Sequence, residues 1–127
     1  PNVETMRSDA SVGTAHVSRA EALGLWYDVT LGSVRSETPD LTARQMAVLF
    51  TVYLTPAPHT VRSLALHLDV TKAVITRALD ALGRFGFVDR ARDPRDARSV
   101  LVQRTGPGSH FLTDFADRVR TRTRAIA

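Results

Sequence analysis

The stretch that most constrains this chain is residues 60 to 86, TVRSLALHLDVTKAVITRALDALGRFG. It holds two apolar periodicities of helical spacing with only Asp69 and Val70 between them. In the first, Val61, Leu64, Ala65 and Leu68 fall on one inward face, and Thr60 stands where a cap is needed. In the second, Ile75, Ala78, Leu79 and Leu82 form the apolar stripe, Thr71 is the cap, and Gly86 is a natural stop. The free face of this second helix carries Ala73, Arg77, Asp80 and Arg84, with Lys72 and Thr76 along one margin. Two short helices joined by a tight turn, the second small and basic on its outer face, meet the requirements of a helix-turn-helix.

The reason is spatial: a DNA major groove about 12 Å wide admits one helix. Short side chains such as Ala73 and Thr76 let the backbone approach, while Lys72 and Arg77 can reach bases or phosphates. Taken alone the pattern is weak, because exposed helix faces in small proteins resemble one another. The segment C-terminal to the second helix strengthens it. FVDRA (87 to 91) and SVLVQ (99 to 103) have strand composition, and they are joined as a hairpin through a charged loop of about seven residues. Helix, turn, helix, hairpin is the winged-helix order. The hairpin tip then lies near the backbone or minor groove of the same duplex, where arginine can clamp phosphates or enter a narrow groove.

The remaining segments frame this core. Thr42 and Gln45 stand in capping-box spacing with Leu41 and Met46 as a staple, so a largely buried helix is expected from Ala43 to Leu54, ended by TPAP. Upstream, Ala20, Leu23, Tyr27 and Leu31 recur at helical spacing between residues 17 and 34, flanked by Val17 and Trp26. Downstream, Phe111, Phe115 and Val119 lie four apart, beside Leu112 and Ala116, in a helix with a basic end that packs on the domain or a second subunit rather than on a membrane. The expected fold is mainly α with a small β-hairpin (α+β). It is one winged helix-turn-helix domain over residues 17 to 127, with a core at 41 to 104, flanking helices at 17 to 34 and 105 to 127, and a flexible arm at 1 to 16.

Charge supports the same partner. Residues 1 to 70 carry 5 Lys/Arg against 7 Asp/Glu, residues 71 to 104 carry 8 against 4, and residues 105 to 127 carry 4 against 2. The positive field therefore sits in the second half, which suits a polyanion. Sixteen of the 17 basic residues are Arg, the side chain suited to bidentate phosphate or guanine contacts. Cysteine is absent, which removes disulfides, Cys-ligated zinc and thiol chemistry within this chain. His16, His59, His67 and His110 lack metal-ligand spacing with carboxylates, and no phosphate-binding glycine loop or nucleophile motif is present, so no enzyme activity, metal or cofactor is expected. With no apolar run of membrane-spanning length and no signal-peptide pattern, a soluble cytoplasmic location without membrane contact is expected.

From LTARQMAVL, through VTKAVITRALDAL, to FVDRARDPRDARSVLVQRT with its D-x-R-D-x-R wing at Asp93 to Arg98, the chain resembles the MarR family of bacterial transcriptional regulators. The resemblance spans roughly Leu41 to Thr105. It implies a winged-helix homodimer on double-stranded DNA, with Thr71, Lys72, Thr76 and Arg77 facing the major groove. It also implies that Arg95 and Arg98 belong to the wing at the minor groove, while Asp93 and Asp96 shape that wing and pair with its arginines. A pocket for a small aromatic effector could draw on Trp26, Tyr27 and Tyr53, although buried aromatics more often fill a core. A winged-helix adaptor that acts through protein contacts stays open as the alternative.

Overall fold

The structure, a computed structural model, describes residues 16 to 126, so the expected arm lies outside the described residues except for His16. The order of elements is α1 (Arg19–Arg35), α2 (Ala43–Leu54), β1 (His59–Thr60), α3 (Val61–Leu68), α4 (Lys72–Arg84), β2 (Val88–Asp93), β3 (Asp96–Arg104) and α5 (Gly106–Arg124). They fall into two compact units, residues 41 to 112 forming one, and the described parts of 1 to 40 and 113 to 127 forming the other.

The larger unit is a three-helix cluster on a small antiparallel sheet of order β1-β3-β2. Its helix starts obey local chemistry. Thr42 accepts from Gln45 N–H at 3.1 Å while the Gln45 side chain accepts from Thr42 N–H at 3.0 Å, a reciprocal capping box. Thr60 and Ser63 repeat that exchange at α3, and Thr71 accepts from Val74 N–H at 3.2 Å to start α4. Between α3 and α4, Asp69 takes the left-handed conformation at φ 56°, and Val70 N–H returns to the Ala65 carbonyl at 3.1 Å. This lets the chain reverse within two residues.

Val48, Leu49 and Val52 of α2, Leu64 of α3, and Ile75, Leu79 and Leu82 of α4 are fully buried and form the centre of the core. Phe87 before β2 stacks on Phe111 of α5 with ring centroids 4.5 Å apart, which carries the core to the start of the last helix. The sheet is fastened below the hairpin. The Tyr53 hydroxyl lies 2.8 Å from the Phe87 carbonyl and accepts Thr105 N–H at 2.8 Å. Arg104 donates to the Val52 carbonyl at 2.8 Å and to the Thr55 carbonyl at 3.0 Å. Buried His59 also meets the Thr55 carbonyl, at 3.1 Å.

Two features depart from expectation. The short strand β1 adds a third strand beside β3, through His59 opposite Val102 and Thr60 opposite Leu101. The charged loop is also shorter than about seven residues. Strand pairing continues to Asp93 opposite Asp96, leaving a two-residue turn at Pro94 and Arg95. The ladder skips between Arg92, opposite Val100, and Asp93, opposite Asp96, so Ala97, Arg98 and Ser99 form a bulge.

In the smaller unit, α1 opens on a capping box between Ser18 and Glu21. Its expected apolar stripe is largely exposed: Leu23 at 73%, Trp26 at 64% and Tyr27 at 63%, while Val29 is buried. Helical spacing identifies a face without identifying what covers it. No described helix is long and apolar enough to cross a membrane.

Candidate nucleic-acid interface

The exposed side of α4 is dictated by its buried side. Because Ile75, Ala78, Leu79 and Leu82 commit one stripe to the core, Lys72, Ala73, Thr76 and Arg77 are left on the solvent face. Thr71 precedes them, also exposed, with its hydroxyl oxygen engaged in capping α4. The cap fixes where the helix begins and therefore which side chains lead it.

The wing is built by its aspartates. Asp93 accepts Arg95 N–H at 2.9 Å, and Asp96 accepts Arg98 N–H at 3.0 Å. These two side-chain turns organise the tip and leave the Arg95 and Arg98 guanidinium groups exposed. The expected pairing of aspartates with arginines is thus made through backbone N–H groups. Among the described residues, neither Arg77 nor Arg98 forms a salt bridge. The acid of α4, Asp80, is taken instead by Arg90 of β2 at 2.8 Å. That bridge ties the root of the wing to α4, with both side chains part-exposed.

Three expected major-groove residues, Lys72, Thr76 and Arg77, therefore share the solvent side of α4 with Thr71 at its cap, and the two expected wing arginines share one hairpin within the same unit. This unit carries 10 Lys/Arg against 5 Asp/Glu over residues 41 to 112. Its surface can attract a polyanion, while Ala73 and Thr76 leave room for close approach. The aromatic residues proposed for an effector pocket divide by role. The Tyr53 hydroxyl is committed to the hairpin root, whereas Trp26 and Tyr27 are exposed on α1.

Comparison with known proteins bears on the same residues. The HTH-type transcriptional repressor YetL of Bacillus subtilis is 42% identical over 52 residues, 41% of this chain and 31% of that protein. The uncharacterized HTH-type transcriptional regulator YkoM of the same organism is 34% identical over 68 residues, 54% of this chain and 44% of that protein. A cyclin-D of Ostreococcus tauri is 33% identical over 115 residues, 83% of this chain but 30% of that protein. Each match spans less than half of the curated relative. A mutant of S. aureus MepR bound to an oligodeoxyribonucleotide shares the fold, with a TM-score of 0.74 at 18% identity over 84% of this chain and 76% of that one. The model of the MarR family matches residues 41–100, from the start of α2 into β3. Residues 41–100 carry a MarR-family domain.

In this MarR-family domain, several positions escaped the reading of the sequence. Arg44 lies beside the α2 capping box, in a helix recognised for its apolar content. Arg90, Arg104 and Tyr53 brace the wing through partners 10, 52 and 34 residues away, at Asp80, Val52 and Phe87. Such separations leave no local pattern. The nearest signal was the strand composition of FVDRA, which marked Arg90 as part of a hairpin without naming its partner.

Proposed function

We propose that this chain, which carries a MarR-family domain, is a sequence-specific regulator of transcription that binds double-stranded DNA as a homodimer on a pseudo-palindromic promoter site. Thr71, Lys72, Thr76 and Arg77 enter the major groove, and Arg95 and Arg98 approach the minor groove or its phosphates. The observation that carries this reading is the set of exposed cations on α4 and the hairpin tip within one compact unit, where Arg90 of the hairpin is bridged to Asp80 of α4. Asp93 and Asp96 each accept a backbone N–H, and among the described residues neither forms a salt bridge with Arg95 or Arg98.

Dimerisation is supported by the exposed Leu23, Trp26 and Tyr27 on α1, a face that a second copy would cover. Two recognition helices would then meet major grooves about one helical turn apart. A small aromatic effector would bind against Trp26 and Tyr27 at the margin of that subunit contact, with the Tyr53 hydroxyl engaged elsewhere. The activity is binding rather than catalysis.

Genome-wide mapping of bound DNA, followed by gel shifts on the recovered sites, tests the reading. The expected result is a two-fold symmetric site whose affinity falls steeply with salt. Absent or salt-indifferent binding would refute DNA recognition and favour the adaptor alternative. Arg95→Ala and Arg98→Ala should weaken binding to the recovered site, and unchanged binding in both would remove the wing from the interface.

A further inference from the structure

Arg44 and Arg77 come from different helices, α2 and α4, yet line one surface depression of about 440 Å3, with Thr42 and Gln45 on one side and Val74 on the other. No acidic side chain lines it. Both arginines are exposed, and among the described residues neither has an acidic partner within salt-bridge distance. Arg44 is also poorly placed for helix stability: it occupies the first turn of α2, which contains no acid, and a cation there opposes the helix dipole. A long charged side chain that neither packs in the core nor favours its helix is suited to an external anion. The adjoining Arg77 already stands on the face assigned to the groove, so the anion in reach is the backbone of the DNA that α4 reads.

We infer that Arg44 is a further DNA contact, a phosphate clamp that acts with Arg77 on the phosphodiester backbone at the flank of the recognition helix. This rests on the proposed DNA-binding function. Such a clamp adds affinity and fixes register without selecting bases. It extends the footprint from α4 and the wing to the start of α2.

The test is fluorescence anisotropy of the full chain on a random-sequence duplex and on a recovered binding site, over a series of salt concentrations. Losing one phosphate contact lowers the slope of log affinity against log salt by about 0.9, equivalent to about eightfold weaker binding at 0.1 M salt. Arg44→Gln should show this loss equally on both duplexes, and Arg44→Lys should recover most of it. If Arg44→Gln matches the wild type while Arg77→Gln loses slope, the clamp is overturned and the DNA reading stands. If the wild type binds neither duplex, both are overturned. If Arg44→Gln and Arg44→Lys lose binding together with thermal stability, Arg44 belongs to the fold and the clamp is overturned.

Discussion

Replacing Gly108 with alanine should destabilise the protein, although intrinsic helix propensity predicts the reverse. Gly108 is the third residue of α5, where alanine is ordinarily about 1 kcal/mol better than glycine. A Cβ added there would lie 2.8 Å from Tyr53 Cζ, and closer still to the Tyr53 hydroxyl oxygen and the Phe87 carbonyl oxygen. Two of these three atoms belong to the flexible tyrosine, but the third is backbone at the foot of β2. Overpacking of this kind typically costs about 1–3 kcal/mol. Displacing Tyr53 also strips its hydroxyl from the Phe87 carbonyl and from Thr105 N–H, and unsatisfied buried polar groups cost about 1–3 kcal/mol more. Against the propensity gain, the net loss is about 1–5 kcal/mol, and its midpoint lowers the melting temperature of a domain this size by about 10 °C. Thermal and urea unfolding monitored by circular dichroism would measure it. Tyr53→Phe in the same chain removes the clash with oxygen but not the one with the Phe87 carbonyl, so the double variant should be less destabilised than the sum of the single ones. A melting temperature equal to or above that of the wild type for Gly108→Ala would refute the close packing at this junction. Because Phe87 and Thr105 are the two feet of the hairpin, the same variant should loosen the wing.

Three further outcomes are expected. At Asp69, held at φ 56°, glycine should be more stable than alanine by about 1 kcal/mol, since only alanine's Cβ is penalised there; equal urea midpoints would argue against the left-handed turn. Asp80→Asn breaks the part-exposed bridge to Arg90 and should cost no more than about 1 kcal/mol of stability, while amide exchange in β2 speeds up; unchanged exchange would show that the bridge does not hold the wing. Trp26→Glu, on the exposed face of α1, should shift the protein toward monomer in sedimentation velocity, and an unchanged dimer would place the subunit contact elsewhere.

The amphipathic patterns alone were enough to specify the helices of the core. The Ala43–Leu54 and Val61–Leu68 boundaries, the threonine caps, and the inward stripes of α3 and α4 all lie within a few residues of the signals that create them. The exposed face of α4 was legible for the same reason, as the complement of a buried stripe. Less could be read where partners are distant. The two-residue turn of the wing required the β3 bulge, which no composition signal marks, and β1 has only two residues, too few for an alternation.

By itself, the sequence determined the helix-turn-helix, the presence of a hairpin, and the cations Thr71 introduces and the wing carries, namely Lys72, Arg77, Arg95 and Arg98. Each depends on spacing within a turn or a strand. Only the tertiary structure decided which of the charges are spent. Asp80 goes to Arg90, Arg104 to the carbonyls at the end of α2, and Asp93 and Asp96 to backbone N–H groups, while Arg44 is set beside Arg77 and left exposed. A charge is declared by its residue type, but whether it is available to a partner depends on which groups the fold brings within hydrogen-bonding distance.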